Sequence, residues 1–184
     1  MKMLRTKLYP TIAAAVFVIL VAMATPSIAA PSDESDVRAT IQRVFDQLKS
    51  GEYETLYNGL PSSFRARITK DRFVNGLQRT RNLYQLDRIE IGAVRVSGNI
   101  AVTDTTIYAH VNQPFDADAK LEVQQYLISE VYGQWAVATG DNATINRFLK
   151  TNPTFARRFP IKKPRTFIKQ NGNWVEVPVP RRSK

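Results

Sequence analysis

The amino-acid sequence predicts an α+β fold, in which N-terminal helices pack on a curved, mainly antiparallel sheet. Residues 33–83 carry apolar side chains at helical spacing, and residues 84–139 carry strand-like runs separated by turn signals. Residues 165–177 then close the chain with a strand, an Asn-Gly turn and a second strand. Helices followed by a run of antiparallel strands are typical of α+β domains with one core. The helical first third of the chain disfavours an immunoglobulin-like sandwich.

The N-terminal segment has the three-part pattern of a secretion signal. A positive region at residues 2–7 precedes an apolar run at residues 11–24, and Ser27-Ile28-Ala29 is a small-x-small cleavage pattern. We therefore expect a periplasmic or secreted protein that is cleaved after Ala29 or Ala30. The alternative is an uncleaved membrane anchor, because the uncharged run is long enough to cross a bilayer. The predicted organisation is a signal peptide (residues 1–30), a single α+β domain (residues 31–178) and a basic disordered tail (residues 179–184).

The first helix of the domain is predicted from Ser32 or Asp33, either of which can cap its free amides, to Gly51. Its apolar residues recur at helical spacing and make one stripe that should lie on the sheet. They are Val37, Ile41, Val44, Phe45 and Leu48.

Two more helices are predicted before the sheet. A short one follows at residues 52–57, and a longer one runs from Lys70 to about Leu83 after a Thr69 cap. Gly76 inside the longer helix costs about 1 kcal/mol relative to alanine. A close approach of this helix to the sheet, or a kink, would explain it.

The sheet is predicted as an antiparallel meander of about four strands, followed by a short helix and a hairpin. The turns are Ser97-Gly98-Asn99, Tyr132-Gly133-Gln134 and Asn171-Gly172, all of which contain residues that tolerate a positive φ. The predicted strands are residues 86–96, 100–111, 121–131, 135–139, 165–170 and 173–177, and the short helix is residues 145–150.

This order of elements resembles the nuclear-transport-factor-like family, whose fold is a cystatin-like cone with a long helix lying in a bent antiparallel sheet. The resemblance covers about residues 35–178. It depends on the first helix entering the segment at residues 51–57 and on the closing hairpin with Trp174. It implies a pocket at the open end of the cone, lined by inward-facing strand positions. Ketosteroid isomerase belongs to that family, but its catalytic motif has no counterpart here, so no residue role is carried over.

Three residues of one predicted strand are the candidates for catalysis. Strand alternation puts Asp104, Tyr108 and His110 on the same face. If that face lines the pocket, they could serve as base, hydrogen-bond donor and proton relay. If it faces outward, they are ordinary solvated residues.

Three aromatic residues are the second group of candidates. Tyr126, Tyr132 and Trp135 could line a ligand pocket or a homodimer interface. Large aromatic side chains of a meander also commonly pack against the covering helix, and a core role is the alternative.

Positive charge is concentrated near the C-terminus. The chain has a net charge of +10, and from Arg147 onward eleven basic residues face a single acid, Glu176. An anionic surface or polyanion, if one binds, is expected to contact Arg157, Arg158, Lys162, Lys163 and Arg165. The alternative is a set of solvated charges. No aromatic-stacking array accompanies them, so specific nucleic-acid binding is not expected.

Two functions remain open from the sequence. The first is an exported, non-enzymatic accessory domain that holds a small ligand or a protein partner in the cone pocket or on the sheet. The alternative is a small cofactor-free isomerase, dehydratase or hydrolase that uses Asp104, Tyr108 and His110. The chain has no cysteine and one histidine, so neither a metal nor another cofactor is expected. The two functions differ in whether the three candidate residues converge in a cavity.

Overall fold

Six helices and a seven-stranded sheet make up the part of the chain that the computed structural model describes, which is residues 33–113, 116–131, 134–138 and 142–177. The helices are α1 (Asp33–Ser50), α2 (Tyr53–Asn58), α3 (Ser62–Arg65), α4 (Lys70–Thr80), α5 (Asn142–Thr151) and α6 (Pro153–Arg158). The strands are β1 (Tyr84–Ile91), β2 (Arg95–Ser97), β3 (Ile100–Val111), β4 (Ala117–Val131), β5 (Gln134–Val137), β6 (Arg165–Gln170) and β7 (Asn173–Val177). The predicted signal peptide, the basic tail and Tyr132 lie outside the described residues. No helix among the described residues is both long and apolar enough to span a membrane.

The sheet is curved and entirely antiparallel. Its strand order is β1-β3-β4-β6-β7, with β2 also pairing with β3 and β5 with β4. The longest ladder joins β3 and β4 from Ile100 opposite Ile128 to Val111 opposite Ala117. The predicted α+β fold class, with helices packed on a curved antiparallel sheet, is therefore confirmed.

One face of the sheet, which we call the inner face, packs against α1. Val37 and Ile41 of the predicted apolar stripe form a cluster with Ala101, Leu127 and Trp135. Burying an aliphatic side chain of this size contributes about 1.5–3 kcal/mol, so this cluster is a main source of the fold's stability.

The opposite face, which we call the outer face, is covered only at one end. There α5 and α6 place Ile145 and Phe155 against Ile100, Val102 and Tyr126. Farther along β3, outer-face side chains from Asp104 to His110 are exposed or half-buried. The sheet is therefore closed on both sides at one end and open on its outer side at the other.

The predicted strand at residues 86–96 is broken in the structure at Gly92. The amide of Gly92 donates to the carbonyl of Asp104 at 2.9 Å, and a Cβ atom at Gly92 would lie 2.8 Å from that oxygen. Only glycine permits this approach, so β1 ends at Ile91 and the pairing with β3 resumes in β2 at Arg95.

The helix around Gly76 also differs from its prediction. It ends at Thr80 rather than near Leu83, although Thr69 caps it as expected by accepting from the Arg72 amide at 3.4 Å. No atom lies within 4 Å of the position that a Cβ would take at Gly76. The proposed close approach to the sheet is therefore wrong.

These two glycines give a matched pair of stability variants. Gly92→Ala should lower the free energy of unfolding by about 1–3 kcal/mol, because the new methyl group must displace the backbone of β3. Gly76→Ala should raise it by about 0.5–1 kcal/mol, since alanine has the better helix propensity and here meets open space. Urea unfolding followed by circular dichroism measures both. Equal stability of the two variants would contradict the assigned contact at Gly92.

Candidate functional site

The three residues predicted for catalysis share one face of β3, as expected, but it is the outer face. Ala101 of the same strand packs under α1 on the inner face, and alternation along the strand puts these three residues on the opposite face. At about 3.3 Å per residue, Asp104 and His110 are separated by roughly 20 Å along the strand. Each of the three side chains has its own neighbours, and they do not converge in a cavity.

Asp104 is held by a residue distant in sequence. The Lys162 ammonium lies 2.9 Å from Oδ1 and 2.8 Å from Oδ2 of this carboxylate, and both side chains are half-exposed. Exposed pairs of this kind contribute about 0–1 kcal/mol. Their role here is to fasten the segment before β6 to the middle of β3.

Tyr108 lies between a cation and a second aromatic ring. Its hydroxyl donates to Oε2 of Glu90 at 3.2 Å, and the Arg88 guanidinium lies 3.6 Å from the centre of its ring. The Trp174 ring meets it edge-on, with 6.1 Å between the ring centres. Such pairs are worth about 0.5–1.5 kcal/mol beyond their burial, so they hold the Tyr108 ring in place.

His110 lies between two carboxylates. Its Nδ1 is 3.1 Å from Oδ1 of Asp118, and its Nε2 is 2.8 Å from Oδ1 of Asp116. The hydrogen bonds to Asp118 and then to Asp116 raise the pKa of His110 above 6.5, although the ring is exposed. Among the described residues, no cluster of three or more carboxylate or histidine groups is arranged to hold a metal ion.

Tyr108 and His110, but not Asp104, border an open groove on the outer face, which we call the outer-face groove. Its volume is about 540 Å³, within the usual range of ligand sites. Five strands supply its principal side chains: Gln85 and Arg88 from β1, Tyr108 and His110 from β3, Asp118 from β4, Lys169 from β6 and Trp174 from β7.

Two local features shape this groove. A β-bulge in β1 between Leu86 and Arg88 leaves Asp87 without a partner in β3, and the Asp87 carbonyl accepts from Lys49 at 2.6 Å. Bulges bend a strand and redirect its side chains, and here Arg88 comes to lie opposite Tyr108. The second feature is the tight turn at Asn171-Gly172, whose φ angles are 49° and 82°. This turn fixes the pairing of β6 with β7, in which Lys169 lies opposite Trp174.

Tyr126 and Trp135 lie in the core rather than in the groove. Tyr126 is 2% exposed, and its hydroxyl donates to the Phe159 carbonyl at 2.9 Å. Burial, with a smaller effect from the Asp104 charge, raises the pKa of Tyr126 to about 12. Trp135 is 6% exposed in the inner-face cluster, and its Nε1 has no hydrogen-bond partner among the described residues.

The five basic residues predicted for polyanion contact divide into two groups. Arg165 is paired with Glu176 at 2.7 Å and with Glu122 at 3.4 Å, and Lys162 is paired with Asp104. The hydrogen bond from Arg165 lowers the pKa of Glu176. The other three, Arg157, Arg158 and Lys163, are exposed and have no carboxylate within 4 Å among the described residues.

Comparison with known proteins adds little to this geometry. No family model and no curated protein sequence matches the chain. Among solved structures, the chain is similar to an LEH-like epoxide hydrolase of M. tuberculosis, with a TM-score of 0.41 and 10% sequence identity. The match covers 66% of this chain and 99% of that chain. A likeness of this size carries no information about activity, ligand or active residues.

The pKa of His110 can be measured directly, because the chain has one histidine and therefore one pair of imidazole C–H signals in a proton NMR titration. We expect a pKa above 6.5 and a fall toward 6.5 in the double variant Asp116→Asn/Asp118→Asn. The stabilisation from protonated His110 should be complete below pH 6.5 and disappear as the pH rises through the folded-state pKa. Asp46→Asn, on the exposed side of α1, is the control and should leave the signal unchanged. A pKa at or below 6.5 in the unaltered protein would contradict these contacts.

Proposed function

We propose that this chain is an exported, non-enzymatic binding module of the nuclear-transport-factor-like superfamily that holds its ligand in the outer-face groove. The observation that supports this most is the pairing of Tyr108 with the exposed ring of Trp174 at the border of a 540 Å³ groove. Large aromatic residues combined with convergent polar groups are typical of ligand sites.

The enzymatic alternative lacks the geometry that it needs. A general base or acid must lie within about 3 Å of the proton that it transfers, or act through one water molecule. Asp104 and His110 are roughly 20 Å apart, so they cannot act on one small substrate. On the inner face, the polar side chains of Thr105 and Gln125 are buried and hydrogen-bonded to each other at 3.3 Å.

The chemistry of the groove favours an uncharged polar ligand with an apolar face. Apart from His110, its formal charges nearly balance, since the three cations Lys49, Arg88 and Lys169 are opposed by the two anions Asp87 and Asp118. Donors and acceptors therefore both surround the aromatic rings. A saccharide unit has this combination, because its hydroxyl groups can bond to charged side chains while its C–H face packs on a ring. A saccharide is the ligand class that we propose.

Tryptophan fluorescence can test this proposal without a label. Trp174 is 37% exposed whereas Trp135 is buried, so a ligand in the groove should change the Trp174 emission. Titration with soluble neutral oligosaccharides of glucose, mannose and N-acetylglucosamine should give a saturable change with at least one of them. The change should vanish in Trp174→Phe. Binding should weaken about tenfold in Tyr108→Ala, which corresponds to about 1.4 kcal/mol.

Asp104→Asn is the matched control, because it lies on the same face of the same strand but outside the groove. It should leave saccharide binding unchanged. No saturable binding by any oligosaccharide would overturn the ligand class. Isothermal titration calorimetry does not need Trp174 as a reporter. Binding that by this measurement survives both Trp174→Phe and Tyr108→Ala but is lost in Asp104→Asn would overturn the location.

A further inference from the structure

Exposed positive charge is concentrated on the helices that cover one end of the outer face and in the segment that follows them. Five basic side chains are exposed there: Arg147 and Lys150 of α5, Arg157 and Arg158 of α6, and Lys163 in the segment before β6. We call this set the basic patch. Arg147 and Lys150 are three residues apart on one helix and are therefore neighbours on its surface.

The charge of the basic patch is not neutralised within the described part of the chain. None of its members has a carboxylate within 4 Å there, whereas the adjacent Lys162 and Arg165 are tied into ion pairs. The patch therefore keeps five positive charges for an external partner. A basic side chain in an ion pair must first be separated from its carboxylate before it can bind an external anion. The side chains of the basic patch do not have this cost.

The layer that carries the patch is held firmly against the sheet. Ile145 and Phe155 are buried against the outer face, and Phe148, Leu149 and Phe159 pack around them. Phe155 and Phe159 also contact each other, with 4.9 Å between ring centres. The apolar sides of α5 and α6 are thus used internally, and their basic sides are left for solvent.

One large exposed apolar side chain lies in the same segment as Lys163. Ile161 is 46% exposed and directly precedes Lys162 and Lys163. An exposed aliphatic side chain beside basic residues is suited to an anionic bilayer, since the charges meet the headgroups while the side chain enters the interface. Single-stranded nucleic acid is typically bound with exposed rings for stacking, whereas the phenylalanines of this layer pack against the core.

We propose that the basic patch, together with Ile161, docks the domain on the surface of an anionic lipid bilayer. This proposal does not depend on the outer-face groove, which is formed by other residues. Binding through exposed charges is screened by salt, because the Debye length falls from about 30 Å at 0.01 M to about 3 Å at 1 M.

Sedimentation with vesicles tests the proposal. The protein should sediment with vesicles of equal phosphatidylglycerol and phosphatidylcholine at about 0.01 M salt, and release at about 1 M salt. Vesicles of phosphatidylcholine alone should bind it far less. Arg157→Gln/Arg158→Gln should weaken partitioning by about tenfold or more, as expected for two charges near an anionic surface. The control Arg72→Gln/Arg79→Gln removes the same charge from the exposed side of α4 and should have little effect.

A second comparison separates a bilayer from a soluble polyanion. Ile161→Ser should weaken vesicle binding while leaving retention on heparin unchanged, because only the bilayer has an apolar region for this side chain. Equal effects of the two arginine pairs on vesicle binding would overturn the location of the surface. Heparin binding through the patch with no effect of Ile161→Ser on vesicles would overturn the choice of a lipid partner.

Discussion

The pairing of β3 with β4 is the constraint on which the rest of the structure depends. Residues Ile100 to Val111 are matched one to one with Ile128 to Ala117, without a break. Because side chains alternate between the two faces, a slip of one residue would exchange every inward side chain for an outward one. This register is what buries Leu127 beneath α1 and leaves Tyr108 on the open side of the sheet.

The unequal cover of the two faces decides where the molecule has room for a partner. Next to Ile100 the sheet is closed by α1 on one side and by α5 and α6 on the other. Beyond Asp104 the outer side is open, and the outer-face groove lies there. The basic patch belongs to the helices on this same side. Both proposed binding surfaces therefore draw most of their residues from the side of the sheet that faces away from α1, although Lys49 of α1 also lines the groove.

Local sequence signals were sufficient for elements whose structure is set locally. The bounds of β3 and of the β6–β7 hairpin agree with the prediction, because Ser97-Gly98-Asn99 and Asn171-Gly172 act within a few residues. The break at Gly92 could not be predicted, since it depends on the Asp104 carbonyl of another strand. The bulge beside Asp87 also had no recognisable local signal.

The candidate site was predictable only in part for the same reason. Alternation within one strand correctly placed Tyr108 and His110 on a common face. Trp174 and Lys169 reach them only because β6 pairs with β4, a long-range contact that no short pattern specifies. The ion pair of Lys162 with Asp104 likewise joins residues 58 positions apart. Strand spacing alone, however, already separates Asp104 from His110 by roughly 20 Å.

Hydroxyl-radical footprinting with mass spectrometry tests the assignment of the two faces most directly, because aromatic side chains are oxidised according to their contact with solvent. We expect rapid oxidation of Trp174 and Tyr108, and protection of Trp135 and Tyr126 until the protein unfolds. Protection of Trp174 and Tyr108 to the level of Tyr126 would contradict the register of the sheet and the open groove that follows from it.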